Sequence, residues 1–177
     1  MGKIFSTVGG VLALGMLFVS AQQATAFTIT QDSNQTVGNP PFPVTACADV
    51  QNYATADGTP VGPFPCNNQF NEQWIYQNGR FIGVGTHSAT TASTTLTQTC
   101  LSVQGNSTAN GAAVELDTCA GGNNSQLWDV QGNGTTSQVV NVASGKCLDS
   151  LGQIGGGLQL VINICNTESA SQHWLLK

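Results

Sequence analysis

Six cysteines and three tryptophans are the residues of this 177-residue sequence whose types and spacing could do chemistry in concert. The cysteines fall as Cys47/Cys66, Cys100/Cys119 and Cys147/Cys165, at separations of 19, 19 and 18. Each second cysteine is followed 8 or 9 residues later by Trp74, Trp128 or Trp174, and these are all the tryptophans in the chain. Two positions before each tryptophan stands Glu72, Gln126 or Gln172. Paired thiols in an exported chain oxidise to disulfides. Six cysteines permit many pairings. The repeat selects one, in which each cysteine bonds its nearest partner.

Other chemistries find little support. His87 and His173 are few for a metal site, and disulfides would consume every thiol. Neither a metal nor a cofactor is expected. There is no Gly-x-Ser-x-Gly nucleophile elbow. A convergent pair of carboxylates, as a glycosidase requires, is not apparent. The sequence reads as non-enzymatic.

Composition narrows the classes further. Four Lys+Arg against nine Asp+Glu give a net charge of −5, which excludes the basic footprint of a nucleic-acid binder. With 40% hydrophobic residues the chain can build a core rather than stay disordered. Residues 1–26 read as a secretory signal peptide: Lys3, then the apolar run 8–19, then the small-x-small site Ala24-Thr25-Ala26. Twelve apolar residues are short of the ~20 that span a bilayer, so no membrane insertion is expected after cleavage. The mature chain 27–177 keeps Arg80, Lys146 and Lys177 against nine acids, a net charge of −6. It is expected to be secreted and extracellular, with possible N-glycosylation at Asn34, Asn106, Asn123 and Asn133.

The elements that must position the cysteines and tryptophans are strands. Ala113-Val114-Glu115-Leu116-Asp117 alternates apolar and polar, which puts Glu115 and Asp117 on a strand surface. Gly157-Leu158-Gln159-Leu160-Val161-Ile162 reads similarly. Turn signals precede such strands at Asp57-Gly58-Thr59-Pro60, Asn110-Gly111 and Gly155-Gly156-Gly157. No segment of the mature chain carries a helical stripe. The fold class is all-β, in three repeats of about 44–95, 96–143 and 144–177. A unit of this size buries too little apolar surface to stand alone, so three must pack around a shared interior.

Three copies of a cysteine followed by Leu or Ala, a strand, a second cysteine and then Gln-x-Trp resemble the ricin-B-type lectin domain. The clearest copies are Cys147-Leu148-Asp149…Cys165…Gln172-His173-Trp174 and Cys100-Leu101-Ser102…Cys119…Gln126-Leu127-Trp128. The resemblance covers residues 44–177, and 27–177 if Phe27-Thr28-Ile29-Thr30 is a first strand. It implies a β-trefoil that binds glycans or glycoproteins.

The resemblance also implies site positions. A carboxylate stands two after the first cysteine, a stacking aromatic two before the second, and an amide three before the tryptophan. Repeat 1 then offers Asp49, Phe64 and Asn71, the full set and the main candidate site. Repeat 2 offers Ser102, Asp117 and Ser125, and repeat 3 offers Asp149, Asn163 and Ser171, which leaves Asp149 as a weaker candidate. Two departures occur in repeat 1: Gly62 stands where the family often has Gln, and Glu72 replaces the usual Gln. Every repeat has its tryptophan whether or not its site is complete, which marks Trp74, Trp128 and Trp174 as core.

The expected function is a secreted lectin for galactose or N-acetylgalactosamine-type sugars, working through repeat 1. The alternatives are a β-trefoil protease inhibitor, or a lectin-like protein whose sugar site has degenerated.

Overall fold

The computed structural model describes residues 25–31, 35–37, 42–84, 98–132 and 136–177. Most of the expected signal segment, together with Asn34, His87 and Asn133, lies outside the described residues.

The chain folds as strands joined by turns and short 3-10 segments. After β1 (Phe27–Gln31) and a small hairpin of β2 (Gln35–Val37) and β3 (Phe42–Val44), the first unit follows. It consists of β4 (Ala46–Val50), β5 (Val61–Pro65), β6 (Gln73–Gln77) and β7 (Arg80–Gly83). The second unit repeats it with β8 (Thr99–Val103), β9 (Ala112–Thr118), β10 (Trp128–Gly132) and β11 (Ser137–Asn141). The third has β12 (Lys146–Asp149), β13 (Val161–Asn163) and β14 (Trp174–Leu176). Its fourth strand is β1: Gln31 pairs with Trp174 as Gly83 pairs with Trp74 and Asn141 with Trp128. The N-terminal strand thus closes the third repeat of a β-trefoil.

Register is the same in all three first hairpins. Cys47 pairs with Phe64, Cys100 with Asp117 and Cys147 with Asn163. Disulfides Cys47–Cys66, Cys100–Cys119 and Cys147–Cys165 tie each hairpin across its ends, one per repeat.

The three tryptophans are buried together with Ile29, Phe81, Leu101, Leu116, Leu148 and Ile162. Their indole nitrogens donate to the carbonyl next after each first cysteine: Trp74 to Ala48 at 3.0 Å, Trp128 to Leu101 at 2.9 Å, Trp174 to Leu148 at 3.0 Å. A buried indole N–H needs such a partner, and the repeat supplies the same one each time.

The units interlock in a cycle. The turn before β5 meets β9, since Leu116 N–H donates to the Thr59 carbonyl at 2.8 Å. Val114 N–H donates to Leu160 and Leu160 N–H to Val61, both at 2.8 Å, which links the second unit to the third and the third to the first. The glycines three residues earlier, Gly58, Gly111 and Gly157, have φ of +80°, +76° and +78°, a backbone conformation that L side chains resist. The strand expected from residue 157 therefore begins only at Val161, because the backbone of 158 and 160 is spent on contacts with the first and second units. Glu115 is also not a surface charge. It is 9% exposed and accepts from Gln104 Nε2 at 2.9 Å.

Candidate functional site

Asp49 stands at the end of β4, paired with Gly62 of β5. Its Oδ2 accepts from Asn71 Nδ2 at 2.7 Å. The other Nδ2 proton of Asn71 goes to the Val50 carbonyl at 3.0 Å, so this amide fixes the carboxylate to the strand that carries it. Asp49 Oδ1 has no hydrogen-bond partner among the described residues, and neither has the buried Asn71 Oδ1. Asn71 thus positions Asp49, with both of its donors used inside the protein.

The absence of a side chain at Gly62 has a steric cause. A Cβ there would overlap the Leu158 carbonyl oxygen, contributed by the third repeat. Gln51 Nε2 donates to that same oxygen at 2.5 Å and holds the loop in place. Gly155 N–H adds a bond to the Pro63 carbonyl at 2.9 Å. The following Gly156 and Gly157 then form one wall of a cavity of about 340 Å³, lined also by Asp49, Asn52, Tyr53, Phe64 and Asn71. Phe64 is 36% exposed and held between Pro63 and Pro65, while Tyr53 is 59% exposed. The sequence positions placed Asp49, Phe64 and Asn71 together, and all three do meet here. Tyr53, Asn52 and the third-repeat glycines were missed; an aromatic in the turn after β4 was the available signal.

Glu72 replaces the glutamine of the other repeats, with consequences that hydrogen bonds make visible. Gln126 accepts from Ala120 N–H at 2.8 Å and donates to the Thr118 carbonyl at 2.9 Å. Gln172 accepts from Asn166 N–H at 2.8 Å and donates to the Ile164 carbonyl at 3.1 Å and to Asp149 Oδ2 at 3.0 Å. Glu72 can only accept, from Asn67 N–H at 2.9 and 3.0 Å and from Asn68 N–H at 2.9 Å. Burial raises its carboxyl, against those two backbone donors. Burial, and then the Glu72 carboxylate, push Asp49 from the ordinary 3.8 up to about 6, against the Asn71 hydrogen bond.

The third repeat shows the opposite condition. Asp149 Oδ1 accepts from Leu151 N–H at 2.7 Å, and Oδ2 from Asn163 and Gln172 at 3.0 Å each. Burial alone would raise this carboxyl, but donors from Gln172, Asn163, Ser171 and Leu151 outweigh it and hold it below the ordinary value. Asn163 stands where Phe64 stands in repeat 1 and points its amide at Asp149 instead of offering a ring. In repeat 2, buried Ser102 and Ser125 face each other with oxygens 3.4 Å apart, and Ser125 Oγ lies 2.6 Å from Asn106 Oδ1. Asn106 is exposed and Asn123 half-buried. A larger cleft of about 440 Å³ lies beside Thr28, Thr30, Gln73 and Lys177, with no acidic side chain in its lining. Among the described residues no three His, Cys, Asp or Glu side chains gather as metal ligands.

A family model described as the ricin-type beta-trefoil lectin domain matches residues 45–174. No curated protein matches the chain at a significant level. Among solved structures, a designed 3-fold symmetric protein, ThreeFoil, superposes with a TM-score of 0.65 at 21% identity, over 85% of this chain and 96% of that one. A non-toxic homologue of type II RIPs from Momordica charantia (bitter gourd), solved in complex with alpha-methyl-D-galactoside, gives 0.61 at 22% identity, over 87% and 48%. The agglutinin from Abrus precatorius gives 0.55 at 21%, over 89% and 49%. The chain therefore spans about half the length of these two plant chains. At such identities the superpositions speak for the fold.

Proposed function

The chain belongs to the ricin-type beta-trefoil lectin family, and from that premise we propose that it binds a galactose or N-acetylgalactosamine-type sugar at one main site, the first-repeat cavity. One observation carries this reading: Asp49 keeps an uncommitted carboxylate oxygen beside the half-exposed Phe64 ring, whereas Asp149 is saturated by its own protein. The free oxygen can accept from a pair of vicinal sugar hydroxyls, as a charge-assisted acceptor. The Phe64 ring takes the apolar C–H face of the pyranose, and Asn71 keeps the carboxylate aimed. This division of labour requires no metal and no covalent step, so the chain acts as a binding module rather than a catalyst.

We further propose export, on the signal-like residues 1–26 and the three disulfides, which persist in oxidising compartments. Glycan-array screening of the 27–177 protein tests the binding reading, with galactose-terminated glycans as the expected hits. An array blank for every glycan overturns it. N-terminal sequencing of protein recovered from culture medium tests the export reading, with Phe27 expected first.

A further inference from the structure

Each repeat follows its first strand with a tight turn, closed by N–H to carbonyl bonds from Ala54 to Gln51 (3.2 Å), Ser107 to Gln104 (3.1 Å) and Gln153 to Ser150 (3.1 Å). Both central residues of every one of these turns have positive φ: Asn52 and Tyr53 (57° and 55°), Gly105 and Asn106 (59° and 55°), Leu151 and Gly152 (57° and 67°). Turns of this mirror-image kind select Gly, Asn and Asp. At the second central position repeats 2 and 3 comply, with Asn106 and Gly152. Repeat 1 instead places a tyrosine there, and for a bulky residue the left-handed region is an outlier.

The ring at Tyr53 serves neither the turn nor the core. It is 59% exposed and lines the same cavity as Asp49 and Phe64. Strained backbone that persists at a ligand cavity points to a use for the side chain it displays. Resting on the reading of repeat 1 as a sugar site, we propose that Tyr53 is a second stacking ring, which engages the residue next to the terminal sugar and makes the ligand a disaccharide or longer glycan.

Stereochemistry separates the two rings' tasks. A galactose-type pyranose has one apolar face, because its axial hydroxyl makes the other polar, and Phe64 takes the apolar one. Tyr53 makes no ring contact with Phe64 among the described residues, so the two are separate platforms. Gly156, where a Cβ would come within 3.9 Å of the Phe64 ring, and Gly157 carry no side chains that would narrow the cavity beside that ring. A tyrosine suits such a subsite, since its ring loses little conformational entropy and its hydroxyl can both donate and accept.

Calorimetric titration of the wild type and of Tyr53→Asn, with methyl galactoside and a set of α- and β-linked galactosyl disaccharides, tests the proposal. The asparagine variant copies the repeat 2 turn and so relieves the backbone. At least one disaccharide should bind the wild type about fivefold or more tighter than the monosaccharide, the size of a stacking contact. In Tyr53→Asn that ratio should fall to near one, with a melting temperature equal to or above that of the wild type. Tyr53→Phe, which keeps the ring, should retain most of the ratio. If the monosaccharide binds but no disaccharide exceeds it, or if the ratio survives in Tyr53→Asn, the subsite is wrong and the repeat 1 reading stands. A lowered melting temperature in Tyr53→Asn would show that the turn itself needs the ring, and would also overturn the proposal. Failure of every sugar to bind the wild type would overturn both.

Discussion

Glu72, wholly buried, occupies the place in repeat 1 from which Gln172 of the third repeat hands an amide proton to Asp149 at 3.0 Å, and after burial it is the next cause of the raised Asp49 carboxyl. Burial raises both aspartates; the oxygen-for-nitrogen exchange adds to it at Asp49, whereas at Asp149 the Gln172 amide joins donors from Asn163, Ser171 and Leu151 that outweigh it. Asp149 lies below its ordinary value and Asp49 rises to about 6.

Sugar binding should therefore depend on pH. Asp49 must be ionised to serve as a strong acceptor, so affinity is present above about 6 and is lost as pH falls through it. Between pH 7 and pH 5 the dissociation constant should weaken about tenfold, following the ionised fraction. The stability of the ligand-free protein should respond in the other sense. The raised Asp49 and Glu72 contribute most below their ordinary values of 3.8 and 4.5, and that contribution is lost as pH rises through the folded values, near 6 for Asp49. Asp149 opposes them only at more acid pH, below its ordinary 3.8. Titrations and melts at pH 7, 6 and 5 check both signs, and an affinity flat across this range contradicts the assignment of Asp49.

Glu72→Gln should move the affinity midpoint to lower pH. The variant removes the facing charge and restores a donor of the kind that Gln126 offers to the Thr118 carbonyl at 2.9 Å. Binding at pH 5 should strengthen while binding at pH 7 changes little, as the same calorimetric series would read.

Asp49→Ala should abolish sugar binding, and Phe64→Ala should weaken it by roughly 1–3 kcal/mol through lost ring contact. Asp149→Ala should leave affinity nearly intact, yet it should destabilise the fold. Leu151 N–H, Asn163 and Gln172 would lose their shared acceptor. One sugar per chain is the expected stoichiometry, and two or three would place sites elsewhere.

Trp128→Phe should lower stability by about 1–3 kcal/mol, because the buried Leu101 carbonyl loses the indole donor at 2.9 Å. Trp128 belongs to the second repeat and does not line the first-repeat cavity. Chemical denaturation reads the loss, and sugar affinity measured on the same variant should not move.

Reduction of the three disulfides should depress the melting temperature sharply. Each closes a loop of 18 or 19 residues, for which the loop-entropy model gives roughly 3 kcal/mol. Melting with and without reductant, with thiol counts confirming reduction, decides the point.

Much of this protein was legible from residue spacing because a trefoil repeat is built from local hairpins. The interval of 19 between Cys47 and Cys66 reports the β4–β5 register, in which Phe64 pairs with Cys47 and Asp49 with Gly62, so that Asp49 and Phe64 sit one diagonal step apart. The same logic fixed the pairing of all six cysteines and the tryptophan core, because each tryptophan answers to a carbonyl of its own repeat. What only the tertiary structure decided are contacts between units. Gln51 reaches the Leu158 carbonyl 107 residues away; the same approach of the third-repeat loop explains Gly62, brings in the glycine wall and delays the strand to Val161. Phe27–Gln31 becomes the fourth strand of the third repeat only when the chain closes on itself. The occupancy of Asp149 and the partial freedom of Asp49 likewise depend on side chains 14 to 23 residues further along, brought to one corner by the fold. Spacing encodes which backbone segments pair. Which hydrogen-bonding groups remain free is settled only once each repeat has folded its own later segments, and the neighbouring units, around them.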